Sequence, residues 1–183
     1  MPEVVLYIAA SLDGYIARSD GSVDWLDHLP EPGDGPDKDY GYGEFFASVG
    51  AVLMGRITYE QVLSFGVDYP YPGTDGYVFS RSRAGQRDDN VQFVDGTDMA
   101  AFVGRLKAAG KGNIWLVGGG QLVREFLSLN LVDRFEFFIL PIVLGEGIPL
   151  FPSPSPETKL ALAGCRSYDN GMVWLTYRRD AEG

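Results

Sequence analysis

The chain has 183 residues, 45% of them hydrophobic and 22% charged, which is the composition of an ordinary globular domain. One cysteine, Cys165, and one histidine, His28, exclude an intramolecular disulfide and a metal site built from several such residues, so we expect no metal. The net charge of −10 opposes binding to nucleic acid or anionic membranes, and any anion site must therefore be local.

The N-terminus lacks the basic and long apolar regions of a signal peptide, and no apolar run reaches the ~18 residues of a transmembrane helix. We therefore expect a cytoplasmic protein, a single domain over residues 1–183, whose partner is a small-molecule substrate.

Strands and helices alternate along most of the predicted chain. In chain order we expect a strand over 4–12, an extended piece over 15–17, a loop over 18–38, a helix over 40–49 capped by Asp39, a strand over 51–54, a helix over 58–65 capped by Thr58, strands over 77–79 and 91–94, a helix over 99–109, a strand over 114–117 and a helix over 122–129. Trp25 in the long loop predicts a lid rather than a linker.

The last third of the chain is predicted to contain strands and loops but no helix. We expect an apolar strand over 135–144, with a bulge or a change of pairing at Pro141, a Gly/Pro-rich loop over 145–158, and strands over 160–168 and 172–178 joined at Asn170-Gly171. The whole pattern predicts an α/β fold in three layers, with a central mixed, mostly parallel sheet and a C-terminal antiparallel hairpin. A homodimer is one way to cover both faces of the strand over 135–144.

Three strand-to-loop junctions carry residues that suit a phosphate. The first is Gly118-Gly119-Gly120, followed by Gln121 and Leu122 at a helix start, where backbone N–H groups and the helix dipole favour an anion. The alternative interpretation is a tight turn, which rarely needs three successive glycines. The spacing also differs from the G-x-G-x-x-G fingerprint of a Rossmann fold.

The other two junctions are weaker alone. Gly55-Arg56 and Thr58 offer a guanidinium and a hydroxyl, although a solvated arginine and a helix cap explain them equally well. Ser80 and Arg81 suit a phosphomonoester such as the 2′-phosphate of NADP, with a plain loop as the alternative. Ligands of open α/β sheets bind at the carboxyl edge, so three such junctions together predict a nucleotide site there.

Four segments together resemble the dihydrofolate reductase-like superfamily: residues 11–17, 54–60, 117–120, and 131–133 leading to 141–145. The chain is most similar to the reductase domain of the bifunctional riboflavin-synthesis deaminase-reductases and their free-standing relatives. The resemblance implies NADPH and hydride transfer. It places Ala9 and Ile16 against the nicotinamide, Gly55, Arg56 and Thr58 at the ribose and phosphate, Ser80 and Arg81 at the 2′-phosphate, Gly118, Gly119, Gly120, Gln121 and Leu122 around the pyrophosphate, and Trp25 in a mobile lid.

Departures from the family limit the substrate. Dihydrofolate reductases carry an arginine for the folate carboxylate where this chain has Thr74 and Asp75, and riboflavin-type reductases carry a substrate-contacting glutamate where it has Gly118. We therefore expect an NADPH-dependent reductase of a C=O or C=N bond in a small, heterocyclic molecule. Counting back from Met54 places Asp39 where dihydrofolate reductases hold a carboxylate, so Asp39 is the candidate catalytic and substrate residue, with water as the alternative proton source.

Three other functions stay open at this point. One is a 5-amino-6-(5-phosphoribosylamino)uracil reductase of riboflavin biosynthesis. The second is a non-catalytic nucleotide-binding protein of the same fold, and the third is a flavin- or nucleotide-binding module.

Overall fold

The computed structural model describes residues 1–28, 39–66 and 68–180. Its strands are β1 (Val4–Ser11), β2 (Tyr15–Ala17), β3 (Val49–Gly55), β4 (Asp75–Phe79), β5 (Val91–Val94), β6 (Asn113–Gly118), β7 (Arg134–Leu140), β8 (Ile148–Pro149), β9 (Leu160–Ser167) and β10 (Val173–Arg179). Its helices are α1 (Tyr42–Ala47), α2 (Arg56–Ser64), α3 (Met99–Ala109) and α4 (Gly120–Ser128), and a 3₁₀ helix spans Asp24–His28.

One large sheet organises these elements in the order β5-β4-β3-β6-β1-β7-β10-β9. The strands from β5 to β7 pair in parallel, whereas β10 runs antiparallel to both β7 and β9. Strands β2 and β8 form a separate antiparallel pair. The predicted α/β fold with a mixed, mostly parallel sheet and a C-terminal antiparallel hairpin is therefore confirmed.

Both faces of the central strands are covered, because successive side chains of a strand point to opposite faces and each set packs against helices. On β1, Val4 and Leu6 pack in one core cluster with residues of α3 and α4, such as Phe126. Val5 packs in a second cluster with residues of α1 and α2, such as Phe45. The alternation along β1 thus accounts for the three layers.

Most predicted elements are confirmed, and the helix over Met99–Ala109 agrees at both ends. Asp98 accepts a hydrogen bond from the backbone N–H of Ala101, and Gly110 ends the helix in the left-handed conformation. Two predicted helix caps are wrong, however. Helix α2 begins two residues before Thr58, with Gly55 as its N-cap, because β3 passes into the helix without an intervening loop.

The N-cap of α1 is Gly41, two residues after Asp39. Asp39 instead bridges the turn before the helix, accepting hydrogen bonds from the backbone N–H groups of Gly41 at 3.0 Å and Gly43 at 2.9 Å. Of the predicted lid over 18–38, residues 29–38 lie outside the described part of the chain.

Pro141 ends β7 rather than interrupting it, since the strand closes at Leu140. The predicted loop over 145–158 contains a strand that sequence reasoning missed, the two-residue β8, which pairs with β2. The predicted hairpin is confirmed, and Gly171 adopts a φ of 86° in its turn.

The apolar β7 is covered within this chain, because it lies between β1 and β10 and its phenylalanines are buried. The apolar composition of β7 therefore does not require a second copy of the chain, and the homodimer stays a prediction. The exposed strand is the sheet edge β9, where Leu162 is 59% exposed. No helix of the described residues is both long and apolar enough to cross a membrane.

Candidate functional site

The carboxyl ends of β4, β3 and β6 lie side by side in the sheet and bring the three predicted junctions together. Gly55 pairs in register with Phe79, the residue before Ser80, and Met54 pairs with Gly118. We call Gly118, Gly119, Arg56, Thr58, Ser80 and Arg81 the strand-end cluster. Three segments that are separate in the sequence therefore form one edge, as expected for a ligand site in an open α/β sheet.

The first two positions of the glycine turn do not accommodate a side chain. Gly118 and Gly119 have φ values of 142° and 94°, which side-chain-bearing residues rarely adopt. A Cβ atom on Gly119 would lie 3.0 Å from Oγ1 of Thr58, and one on Gly118 would lie 3.2 Å from Cδ1 of Ile8. Neither position therefore has room for a side chain, and the half-buried backbone of Gly119 lies beside a hydroxyl, which suits an anion cradle.

The third glycine has a different role. Gly120 is the first residue of α4, and a Cβ atom there would lie 2.6 Å from the carbonyl oxygen of Pro149. Gly120 therefore permits the segment containing β8 to pack on the helix start. Leu122 belongs to the buried core, so only its backbone faces the turn, whereas Gln121 is exposed.

Arg56 lies at the first position of α2, and its guanidinium is free of the core. Nη1 of Arg56 donates to both carboxylate oxygens of Glu60 at 2.7 Å, in an exposed i,i+4 ion pair. Such surface pairs contribute little stability, so Arg56 can exchange Glu60 for a phosphate at small cost.

The serine-arginine junction follows β4. Ser80 is 8% exposed, its backbone N–H donates to the carbonyl oxygen of Val94 at 2.8 Å, and its Oγ lies 3.3 Å from Oγ of Ser82. Arg81 is exposed, and the guanidinium of Arg83 stacks 3.7 Å above the ring of Phe93. One hydroxyl is therefore fixed by the sheet and one guanidinium is available to a ligand.

In the segment after β1, the carboxylate of Asp13 joins two loops by hydrogen bonds. Asp13 accepts hydrogen bonds from Oγ of Ser11 at 2.6 Å and from the backbone N–H groups of Leu144 at 3.1 Å and Gly145 at 2.7 Å. The bond from Ser11, followed by those from the two N–H groups, holds the pKa of Asp13 below its usual value. This motif ties the turn after β1 to the loop after β7.

The two residues predicted to contact the nicotinamide lie in different surroundings. Ala9 packs against the cluster that contains Trp25 and Phe138, while Ile16 packs against the core cluster on the side of α3 and α4. The structure thus places them at the end of β1 and on β2, on either side of the turn that Asp13 clamps.

A second group of residues adjoins Ala9 and consists mainly of aromatic side chains. We call it the aromatic cluster: Trp25, Phe138, Leu140 and Met172 at its buried centre, with Tyr7, Ala9, Tyr40, Tyr168 and Trp174 among the partly buried residues around them. The ring of Trp174 stacks on Phe138, with centroids 5.3 Å apart, and Tyr7 stacks on Phe45 at 4.0 Å.

Beside this cluster lies a cleft of about 810 Å³ between the 20–27 segment and α2, which we call the lid cleft. Its apolar lining includes Leu26 and Ile57. Gln61 of α2 donates to the carbonyl oxygen of Gly21 across it. Asp39 is exposed at the turn before α1 and is not among the residues that line the cleft.

Sequence reasoning missed Glu136, a buried carboxylate on β7 that is 2% exposed. Arg134 donates to its Oε1 at 2.7 Å, and Trp174 and Thr176 donate to its Oε2 at 2.6 Å. Burial first, and then the nearby charge of Glu136, raise the pKa of Tyr7 above its usual value. The available signal was a single charged residue inside an apolar run.

Comparison with known proteins gives concordant results. Residues 74–174 match the family described as the RibD C-terminal domain. The chain is 42% identical over 177 residues to the uncharacterized protein YwjB of Bacillus subtilis (strain 168), covering 97% of this chain and 98% of that one.

Solved structures agree in fold. A putative riboflavin biosynthesis protein from Shewanella sp. PV-4 has a TM-score of 0.86 and 30% identity, covering 97% of this chain and 99% of that one. A diaminohydroxyphosphoribosylaminopyrimidine deaminase/5-amino-6-(5-phosphoribosylamino)uracil reductase from Thermotoga maritima has a TM-score of 0.70 and 19% identity, covering 98% of this chain and 57% of that one. The match over residues 74–174 and the near-complete alignment with YwjB show that the chain belongs to the RibD C-terminal domain family, a family of reductase domains.

Proposed function

We propose that this protein is an NADPH-dependent reductase of a C=O or C=N bond in a small heterocyclic molecule. The observation that carries the proposal is the strand-end cluster, in which a side-chain-free turn at Gly118 and Gly119 lies beside the hydroxyl of Thr58. A dinucleotide needs a close backbone approach for its pyrophosphate and separate groups for further phosphates, and this edge offers both.

The fit to NADPH can be assigned residue by residue. The Gly118-Gly119 turn and the start of α4 would hold the pyrophosphate through backbone N–H groups, with Thr58 and Arg56 beside them. Ser80 and Arg81 would hold the 2′-phosphate, because a fixed hydroxyl and a mobile guanidinium suit a dianion. These local donors offset the unfavourable net charge of −10.

When bound, NADPH supplies a hydride to the acceptor carbon, and the acceptor heteroatom takes up one proton. The chain's own contribution is positioning, since β1, which carries Ala9 of the aromatic cluster, lies in the sheet next to β6, which ends in the strand-end cluster. For the proton, Asp39 is our candidate, held before α1 by two backbone N–H groups, with water as the alternative.

The test has two stages. Titration with NADPH and NADH, followed by tryptophan fluorescence, should show binding with a preference for NADPH, and no binding of either at millimolar concentration would refute the proposal. Oxidation of NADPH at 340 nm, in the presence of cyclic C=O and C=N compounds, then separates a reductase from a non-catalytic binding protein. In that assay Asp39→Asn should lower kcat without changing NADPH affinity.

The principal alternative is the reduction named for the Thermotoga relative, whose substrate carries a ribose phosphate. At the position of the family's substrate-contacting glutamate this chain has Gly118, where a Cβ atom would press on Ile8. Turnover of the phosphoribosylamino-uracil precursor would nevertheless decide in favour of that alternative.

A further inference from the structure

The turn after β1 and the loop after β7 meet at several successive points, although 131 positions of the sequence separate Asp13 from Leu144. The backbone N–H of Leu12 donates to the carbonyl oxygen of Ile142 at 2.8 Å, and β2 pairs with β8 farther along. Between these contacts, the carboxylate of Asp13 accepts the backbone N–H of Leu144 at 3.1 Å and that of the next residue at 2.7 Å. Residues 141–147 contain no helix or strand, so this carboxylate fastens the middle of the loop to the turn.

The same loop leads into β8, which packs on the cofactor cradle of the proposed function. A Cβ atom on Gly120, the first residue of α4, would lie 2.6 Å from the carbonyl oxygen of Pro149 in β8. Gly120 directly follows the Gly118-Gly119 turn, to which the proposed function assigns the pyrophosphate. Ala9 and Ile16, assigned to the nicotinamide, lie on β1 and β2, before and after the turn. The loop after β7 therefore joins the segment that would hold the nicotinamide to the helix start that would hold the pyrophosphate.

We propose that Asp13 is a positioning residue, which fixes the loop after β7 so that the nicotinamide and pyrophosphate parts of the cofactor site keep their spacing. This inference deepens the proposed function and rests on it, because it concerns how NADPH would be held. An ionised carboxylate suits this role, since its two oxygens accept several hydrogen bonds at once and those bonds are stronger than bonds between neutral groups. Ser11 is itself buried, and its hydroxyl donates to the same carboxylate at 2.6 Å, which fixes the direction of Asp13.

The exposure of this contact separates its effect on position from its effect on stability. Asp13 is exposed, and water can replace the partner of an exposed hydrogen bond, so its loss should change the free energy of unfolding little. The far end of the loop is anchored independently, because Leu150 is buried in the core cluster of α3 and α4 and its backbone N–H donates to the carbonyl oxygen of Gly14 at 2.9 Å. Removing the carboxylate should therefore release residues 141–147 while the domain stays folded.

The test compares the whole cofactor with a fragment of it. Titration calorimetry would measure the affinity for NADPH and for adenosine 2′,5′-bisphosphate, which carries the 2′-phosphate but neither the pyrophosphate nor the nicotinamide. We expect Asp13→Ala to weaken NADPH about three- to tenfold, since binding must then order the released loop, and to leave the bisphosphate within about twofold. Asp13→Asn keeps one acceptor oxygen and should lie between the wild type and Asp13→Ala, and it tests the inference even if Asp13→Ala does not fold. An equal loss for both ligands, or an unchanged affinity for NADPH, would overturn the inference.

Asp88→Ala is the matched control. Asp88 is also an exposed carboxylate that accepts a hydroxyl, from Tyr59 at 2.6 Å, and a backbone N–H, from Asp89 at 2.8 Å. It precedes β5 and so lies at the opposite edge of the sheet from the strand-end cluster. Asp88→Ala should leave the affinity for NADPH within about twofold. If it weakens NADPH as much as Asp13→Ala does, the loss reflects general destabilisation and the positioning role is wrong.

The outcomes also separate this inference from the proposed function. If the wild type binds no NADPH at millimolar concentration, the proposed function is wrong and the inference fails with it. If the wild type binds NADPH and the selective loss in Asp13→Ala is missing, only the positioning role of Asp13 is wrong.

Discussion

The strand-end cluster and the aromatic cluster lie on either side of the end of β1, and they are built in different ways. The first depends on backbone conformation, at glycines whose φ values of 142° and 94° side chains rarely adopt. The second depends on side chains from strands that are distant in the sequence, such as Phe138 and Trp174, and the buried carboxylate of Glu136 on β7 accepts a hydrogen bond from Trp174. A site made of backbone can therefore be recognised from a short sequence motif. A site made of side chains cannot, because it depends on which strands pair in the sheet.

The largest expected effect concerns Glu136. In Glu136→Ala, Trp174 and Thr176 lose their acceptor and Arg134 keeps only its pair with Glu3, so the free energy of unfolding should fall by about 3–5 kcal/mol. Urea denaturation measures this change. Asp75→Ala is the control, because it breaks the exposed pair with Lys111 and should cost less than about 1 kcal/mol. Equal losses in the two variants would show that the aromatic cluster does not depend on its buried carboxylate.

The next largest effect tests whether the backbone of the strand-end cluster binds the cofactor. Gly119→Val should weaken NADPH binding at least about 100-fold, or about 2.7 kcal/mol, since a side chain would strain the turn and press on Thr58. Fluorescence titration measures it. Gly104→Ala in α3, where a Cβ atom has no neighbour within 4 Å, should leave binding intact and stabilise the helix slightly. Normal NADPH affinity in Gly119→Val would contradict the cradle.

A smaller change addresses cofactor choice. Arg81→Ala should weaken NADPH about 10- to 100-fold and leave NADH unchanged, because a charge-assisted hydrogen bond contributes about 1.5–3 kcal/mol. Parallel titrations with the two dinucleotides measure the ratio. Arg105→Ala removes an exposed arginine from α3 and controls for net charge. An equal loss of affinity for NADPH and NADH would indicate that Arg81 contacts a part of the dinucleotide that both cofactors share.

The smallest effect is a dependence of stability on pH. The hydroxyl of Tyr59 donates to Asp88 at 2.6 Å, and this bond lowers the pKa of Asp88. Burial, together with the same bond, raises the pKa of Tyr59 to about 12. A lowered carboxyl pKa stabilises the fold above the unfolded value of about 4, and the benefit is lost as pH falls through the folded value. A raised tyrosine pKa stabilises it below the unfolded value of about 10, and the benefit is lost as pH rises to about 12.

Tyr59→Phe should therefore cost about 1 kcal/mol between about pH 4 and 10, a modest value because Asp88 is exposed, and less outside that window. Thermal unfolding from pH 3 to 11 measures the difference from the wild type. Asp88→Asn should remove the acid dependence and keep the alkaline one. A difference that stays constant over the whole range would show that the pair does not titrate with folding.

Local sequence was sufficient wherever a feature depends on neighbouring residues. The helix over Met99–Ala109 was predicted at both ends because its cap and its terminating glycine act within one turn. Two of the three junctions were recognised because a strand, a glycine and a helix start follow one another directly, and the third because Ser80 and Arg81 come directly after a strand. Thr58 was assigned wrongly as a cap because β3 ends at Gly55 and α2 begins at the next residue, Arg56, without a loop between them.

Sequence alone determined the fold class, the order of most elements and the residues of the strand-end cluster, since periodicity, turns and caps act over a few residues. Only the tertiary structure decided that Gly118 packs too closely on Ile8, Gly119 on Thr58 and Gly120 on Pro149 for a side chain to fit. It alone decided that Glu136 is buried and hydrogen-bonded, and that the buried indole N–H of Trp25 meets no acceptor among the residues that the structure describes. These properties arise from contacts between strands that are far apart in the chain, and no local pattern specifies which donor will meet which acceptor.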